Sequence, residues 1–116
     1  MAQINIDALA SDIRKAASAV LKKDVSGLKG FSDHQVRAIA QQSKLVASGI
    51  ATGEITDATR DFFLTSLEDM ARNFARVLQG LLVVEIEKVW NAVVMAIQSA
   101  ISKALGFAVT MPATGT

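Results

Sequence analysis

The sequence predicts an all-α fold, a helical bundle, and three observations carry that prediction. Apolar residues recur three and four positions apart from Ile6 to Leu105, tyrosine is absent, and the one proline, Pro112, lies beyond the last helical pattern. Hydrophobic residues make up 51% of the chain and aromatic residues only 5%, an aliphatic composition suited to packed helices. At 116 residues the chain is long enough for one modest core. It reads as a single helical domain over residues 1–107 followed by an extended or disordered tail, 108–116.

The first helix is expected from about Asp7 to Lys23, with Asn5 or Asp7 as N-cap and Lys22 and Lys23 at the negative end of the dipole. Ile6, Leu9, Ile13, Ala16 and Val20 supply its apolar stripe. The two glycines of Asp24-Val25-Ser26-Gly27-Leu28-Lys29-Gly30 then interrupt the period and mark a loop.

The second helix starts at a capping box, Ser32 with Gln35, braced by a hydrophobic staple of Phe31 and Val36. Its stripe is Val36, Ile39, Ser43, Val46 and Ile50, and Gly53 stops it. Gly49 and Gly53 are read together as C-capping residues. The short Gly53-Glu54-Ile55 connection implies an antiparallel third helix capped by Thr56.

From Thr56 to Leu105 about 50 residues pass without proline and with Gly80 as the single glycine. At ~1.5 Å per residue an unbroken helix of that length would reach about 75 Å. Phe63, Leu67, Met70, Phe74, Val77 and Leu81 form one seam; beyond Gly80 the seam rotates and widens. A lone glycine costs about 1 kcal/mol in a helix but does not end one, so the preferred reading is two shorter helices packed along a long C-terminal helix. A corner at Gly80, giving a four-helix bundle, is the alternative. The final residues have no helical period and read as a mobile end, with Val109 and Met111 as the side chains that would dock it.

Chemistry is sparse. No cysteine is present, which excludes disulfides and thiolate catalysis. His34 stands alone at a helix start, without ligand spacing around it, and reads as a surface histidine. Glu54, Asp57 and Asp61 lack the loop and glycine of a calcium site and are explained by the third helix's dipole. Glu68 and Asp69 are paired with Arg72 at helical spacing. The serines and threonines lack a nearby base, and no glycine-rich phosphate loop occurs. The expectation is therefore not an enzyme, with no cofactor, no metal and no catalytic residue.

Formal net charge is +1, with basic residues in excess before Gly53 and acidic residues after it. Arg14, Lys15, Lys22, Lys23 and Lys29 form the basic concentration, interleaved with alanine and not with aromatics, so nucleic acid is disfavoured as a partner. The N-terminus has no basic signal-peptide region, and the most hydrophobic window, Leu78 to Ile101, contains Glu85, Glu87 and Lys88. A cytoplasmic protein is expected.

The informative feature is the wide apolar face after Gly80. Leu82, Val83, Ile86, Val89, Trp90, Val93, Val94, Ile97 and Ile101 are expected to form an interface at which identical subunits share a core, with Trp90 as its anchor. The expected function is a structural or adaptor protein, a self-assembling homo-oligomer with coiled-coil-like seams, open to a protein partner in a larger assembly. The alternative is an amphipathic protein whose C-terminal helix lies on a membrane or a hydrophobic granule.

Overall fold

The computed structural model describes residues 3–31, 33–81 and 85–112. Asn5 caps the first helix, α1 (Ile6–Leu21), by accepting a hydrogen bond from the Ala8 amide at 3.0 Å. Lys22 closes it in the left-handed conformation, φ 55°, with its amide returned to the Ser18 carbonyl. Asp24 then accepts from the Ser26 amide and hydroxyl, fixing a short 3-10 turn at Val25–Gly27 whose Val25 is fully buried. The second helix, α2, spans Asp33–Thr52. Ser32 of the expected capping box lies outside the described residues.

The third helix, α3, begins at Arg60, three residues later than an N-cap at Thr56 implies. Thr56 instead opens a turn in which its amide donates to the Thr59 hydroxyl and its carbonyl accepts from the Arg60 amide. Helix α3 continues through Gly80 to Leu81, and the fourth helix, α4, runs Ile86–Leu105. Gly106, φ 79°, ends it in the left-handed region.

The single long C-terminal helix is thus corrected and the four-helix bundle, the alternative, is the one observed: the chain turns back between Leu81 and Ile86, just past Gly80, which is itself helical. Burial supplies the reason. Val89, Val93, Val94, Ile97 and Ile101 are all fully buried, and at about 1.5–3 kcal/mol per side chain their burial contributes on the order of 10 kcal/mol. Interrupting a helix costs far less when its ends remain open to water.

The four helices close a ring in which α1 packs on α2, α2 on α3, α3 on α4 and α4 on α1. Neighbours run antiparallel. Arg14 in the middle of α1 pairs with Asp33 at the start of α2, whose Arg37 reaches back to Asp7 at the start of α1. Arg72 in α3 likewise pairs with Glu87 at the start of α4. The result is an up-down-up-down bundle, 41 × 27 × 18 Å. Among the described residues no helix is long and apolar enough to cross a membrane.

The core is one continuous cluster along the axis. All five residues of the α2 stripe are buried, including Ser43, whose hydroxyl donates to the Ile39 carbonyl at 2.8 Å. In α3 the buried row is Leu64, Leu67, Ala71, Phe74 and Leu78, turned by about one residue from the expected seam, and Val77 is exposed. Gly49 lies within α2 and has a separate role from capping: a Cβ there would stand 2.7 Å from Cδ1 of Ile55. Its missing side chain lets Ile55 fold onto the helix end and donate its amide to the Gly49 carbonyl at 2.9 Å.

Candidate interaction surfaces

The expected interface residues of α4 lie inside the chain's own bundle. Val89, Val93, Val94, Ile97 and Ile101 are inaccessible and Trp90 is 7% exposed, while Ile86 is half-buried at the helix start. Leu82 and Val83 lie outside the described residues. The width of this face is met by α1, α2 and α3 packing on it together, so no second copy is needed to cover it. In sequence α4 reads as lying beyond the reach of the first helices, whereas it packs on all three.

Trp90 anchors two helices of one chain. Its indole N–H donates to the Glu68 backbone carbonyl at 3.0 Å, and the Arg72 guanidinium carbon stands 4.7 Å from the ring centroid. Arg72 also holds Glu87, so the α3–α4 contact combines an aromatic plate, a cation above it and an ion pair. Arg72 thus reaches across to the next helix, where helical spacing suggests partners within α3. Glu68 is itself buried, at 4% exposure.

The exposed large apolar side chains are Leu45, Phe62, Val77, Met95 and Phe107. Two belong to one end of the bundle, where α3 begins and α4 stops. Phe62, 74% exposed, meets Phe63 edge to face with ring centroids 5.4 Å apart. One helical turn before Phe63, Arg60 places its guanidinium 5.8 Å from the ring centroid of Phe107, which is 49% exposed. Arg60 also pairs with Asp57 at 3.1 Å, and among the described residues its Nε is the buried side-chain nitrogen or oxygen without a hydrogen-bond partner. This aromatic end escapes a reading of the sequence because Phe63 fits the seam and Phe62 fits no surface. Its signal is adjacent aromatics at a helix start in a chain with few aromatics.

The polar candidates remain separate. His34 is exposed. Glu54 accepts from the Thr52 hydroxyl and Asp57 holds Arg60, and of the three expected carboxylates Asp61 alone lies in the first turn of α3. No group of three or more His, Asp or Glu side chains among the described residues is arranged to hold a metal ion. Arg14, Lys15, Lys22 and Lys23 line an open groove along the outside of α1, with a volume of about 640 Å³, shared with Ser11, Ser18, Asp24 and Ser26. Asp24 is held below the ordinary carboxyl range, first by the Ser26 hydroxyl and then by the Ser26 amide.

The tail does not hang free over its described length. Val109 and Met111 are buried, at 3% and 0% exposure, against α4. Of the two expectations for this segment, docking is the one observed.

These features define a class of protein: an antiparallel four-helix bundle with a closed aliphatic core, an aromatic outer end and a segment returned onto its last helix. No family model matches the chain, and no curated protein or solved structure is significantly similar to it.

Proposed function

We propose that this chain is a non-enzymatic assembly module, a structural or adaptor protein that self-associates through the aromatic end of its bundle. The observation that carries the reading is the set of Phe62, Phe63, Arg60 and Phe107 at the junction of the α3 start and the α4 end, with Phe62 largely in water and Phe107 about half exposed. Scattered exposed apolar side chains are ordinary, but adjoining aromatics beside an arginine have the composition of an interface hot spot. The proposed contact is therefore on the outside of the bundle and leaves the inner face of α4 in the core.

Light scattering coupled to size exclusion, across a concentration series, tests this on wild type and on Phe62→Ser. The expected result is reversible wild-type association that Phe62→Ser weakens at least tenfold while helicity is unchanged. A wild type that stays monomeric throughout, or a Phe62→Ser chain that associates as wild type does, would overturn the proposal.

A further inference from the structure

The groove along the outside of α1 gathers positive charge that the fold does not use in its own ion pairs. Arg14 is held by Asp33, but Lys15, Lys22 and Lys23 are exposed and, among the described residues, make no ion pair. Four cations thus surround one carboxylate, Asp24, on a chain whose formal net charge is only +1. That carboxylate is turned onto its own loop, where the Ser26 amide and hydroxyl donate to the same oxygen at 3.0 and 2.6 Å. Ser18 Oγ accepts from the Val25 amide at 3.0 Å, and among the described residues its own proton meets no acceptor, so the groove gains a hydroxyl donor. Ser11, Lys15, Ser18 and Lys22 step four, three and four positions, a line of donors about 16 Å long on one side of the helix.

The backbone at Lys22 is a second, independent sign. Its φ of 55° is the one left-handed value at a residue other than glycine among the described residues; the other three such positions, Gly30, Gly53 and Gly106, are glycines. A side chain in that region is disfavoured, and glycine ends a helix there without the penalty. The fold therefore keeps a strained helix end at the one place where the residue is a cation lining the groove. We propose that this groove is an anion-binding site whose ligand is a small oligophosphate, a short chain of phosphate groups free in solution. Lysine meets phosphate as a point charge and serine hydroxyls donate to its oxygens, whereas a carboxylate ligand favours the fork of an arginine, and the arginine here is taken by Asp33. No aromatic side chain among the described residues lines the groove, so a nucleobase has nothing to stack on. Its volume of about 640 Å³ and its concave form suit a small molecule better than a flat membrane surface. The site is separate from the aromatic end and does not depend on self-association.

The test is titration calorimetry of the full chain with sodium tripolyphosphate at physiological salt, with orthophosphate as comparison. Saturable one-to-one binding is expected, at least tenfold tighter for tripolyphosphate. Lys15→Ser combined with Lys23→Ser is expected to weaken it at least tenfold, whereas Lys103→Ser, on α4, leaves it unchanged. Lys22→Gly carries a readout that a purely structural residue would not give: affinity falls at least threefold while the thermal midpoint rises, because the strain at the helix end is relieved. Absence of saturable binding, equal losses in Lys103→Ser and the groove variants, or wild-type affinity in Lys22→Gly would overturn the proposal. Flotation with phosphatidylcholine vesicles containing phosphatidylinositol bisphosphate supplies the remaining arm. Retention on those vesicles by a chain that ignores tripolyphosphate would also overturn it, assigning the groove to a lipid surface.

Discussion

Replacing Trp90 with Phe separates a clasp within one chain from an anchor between chains. The substitution removes the indole N–H bond to the Glu68 carbonyl, a net loss of about 0.5–1.5 kcal/mol. The loss falls toward the lower end because that carbonyl still serves the α3 hydrogen-bond ladder. Arg72 keeps a ring beneath it, but a smaller one; with its side chain 32% exposed the cation–π loss is about 0.5 kcal/mol. The vacated space in a nearly dry site adds about 1 kcal/mol. Together Trp90→Phe is expected to destabilise the fold by about 2–2.5 kcal/mol, lowering Tm by roughly 4 °C per kcal/mol for a chain of this length. Urea unfolding followed by circular dichroism measures it, with light scattering on the same samples. A change below about 0.5 kcal/mol accompanied by loss of association would refute the reasoning, because it would place the indole between copies.

Further expectations follow from the same packing. Gly80→Ala should stabilise by about 0.5 kcal/mol in thermal unfolding, since Gly80 is helical and a Cβ there meets nothing within 4 Å. Gly49→Ala should instead destabilise, by up to about 2 kcal/mol, because the same helical gain is outweighed by a Cβ 2.7 Å from Ile55; Ile55→Val in the same chain should recover part of the loss. Ser26→Ala should raise the Asp24 carboxyl toward its ordinary value, read by NMR titration. Because the folded value is depressed, Asp24 contributes stability above about pH 3.9 that disappears as pH falls through the folded value, and Ser26→Ala should weaken that dependence, leaving the part held by the amide of residue 26.

The local elements are plain in the sequence and the tertiary turn is obscure, for physical reasons visible in particular residues. Val36, Ile39, Ser43, Val46 and Ile50 read as a buried stripe, and are one, because α2 faces the core with one narrow side. In α3, Leu67 and Phe74 belong both to the expected seam and to the observed one, so spacing alone does not choose between Phe63 with Val77 and Leu64 with Leu78. That choice is made by where α4 returns. The return has weak local chemistry: the cap position of α4, Glu85, makes no side-chain cap bond, and the compensating energy lies in long-range burial. Trp90 is legible as an anchor through its type, whereas its partners, Glu68 and Arg72, become neighbours only after the chain reverses. The docking of Val109 and Met111 depends on Ser102 and Gln98, polar residues that in sequence look like solvated helix surface.

The reversal between α3 and α4 is the step on which the remaining inferences stand, and one distance measures it. The chain contains no cysteine, so Thr65→Cys and Ser99→Cys, both at exposed positions, can carry spin labels without competition. Labelled chains diluted into unlabelled protein report the distance within one molecule. The folded-back bundle predicts a single distribution well short of its 41 Å length. A continuous helix would place the two labels about 50 Å apart, and a distribution centred there would contradict the account.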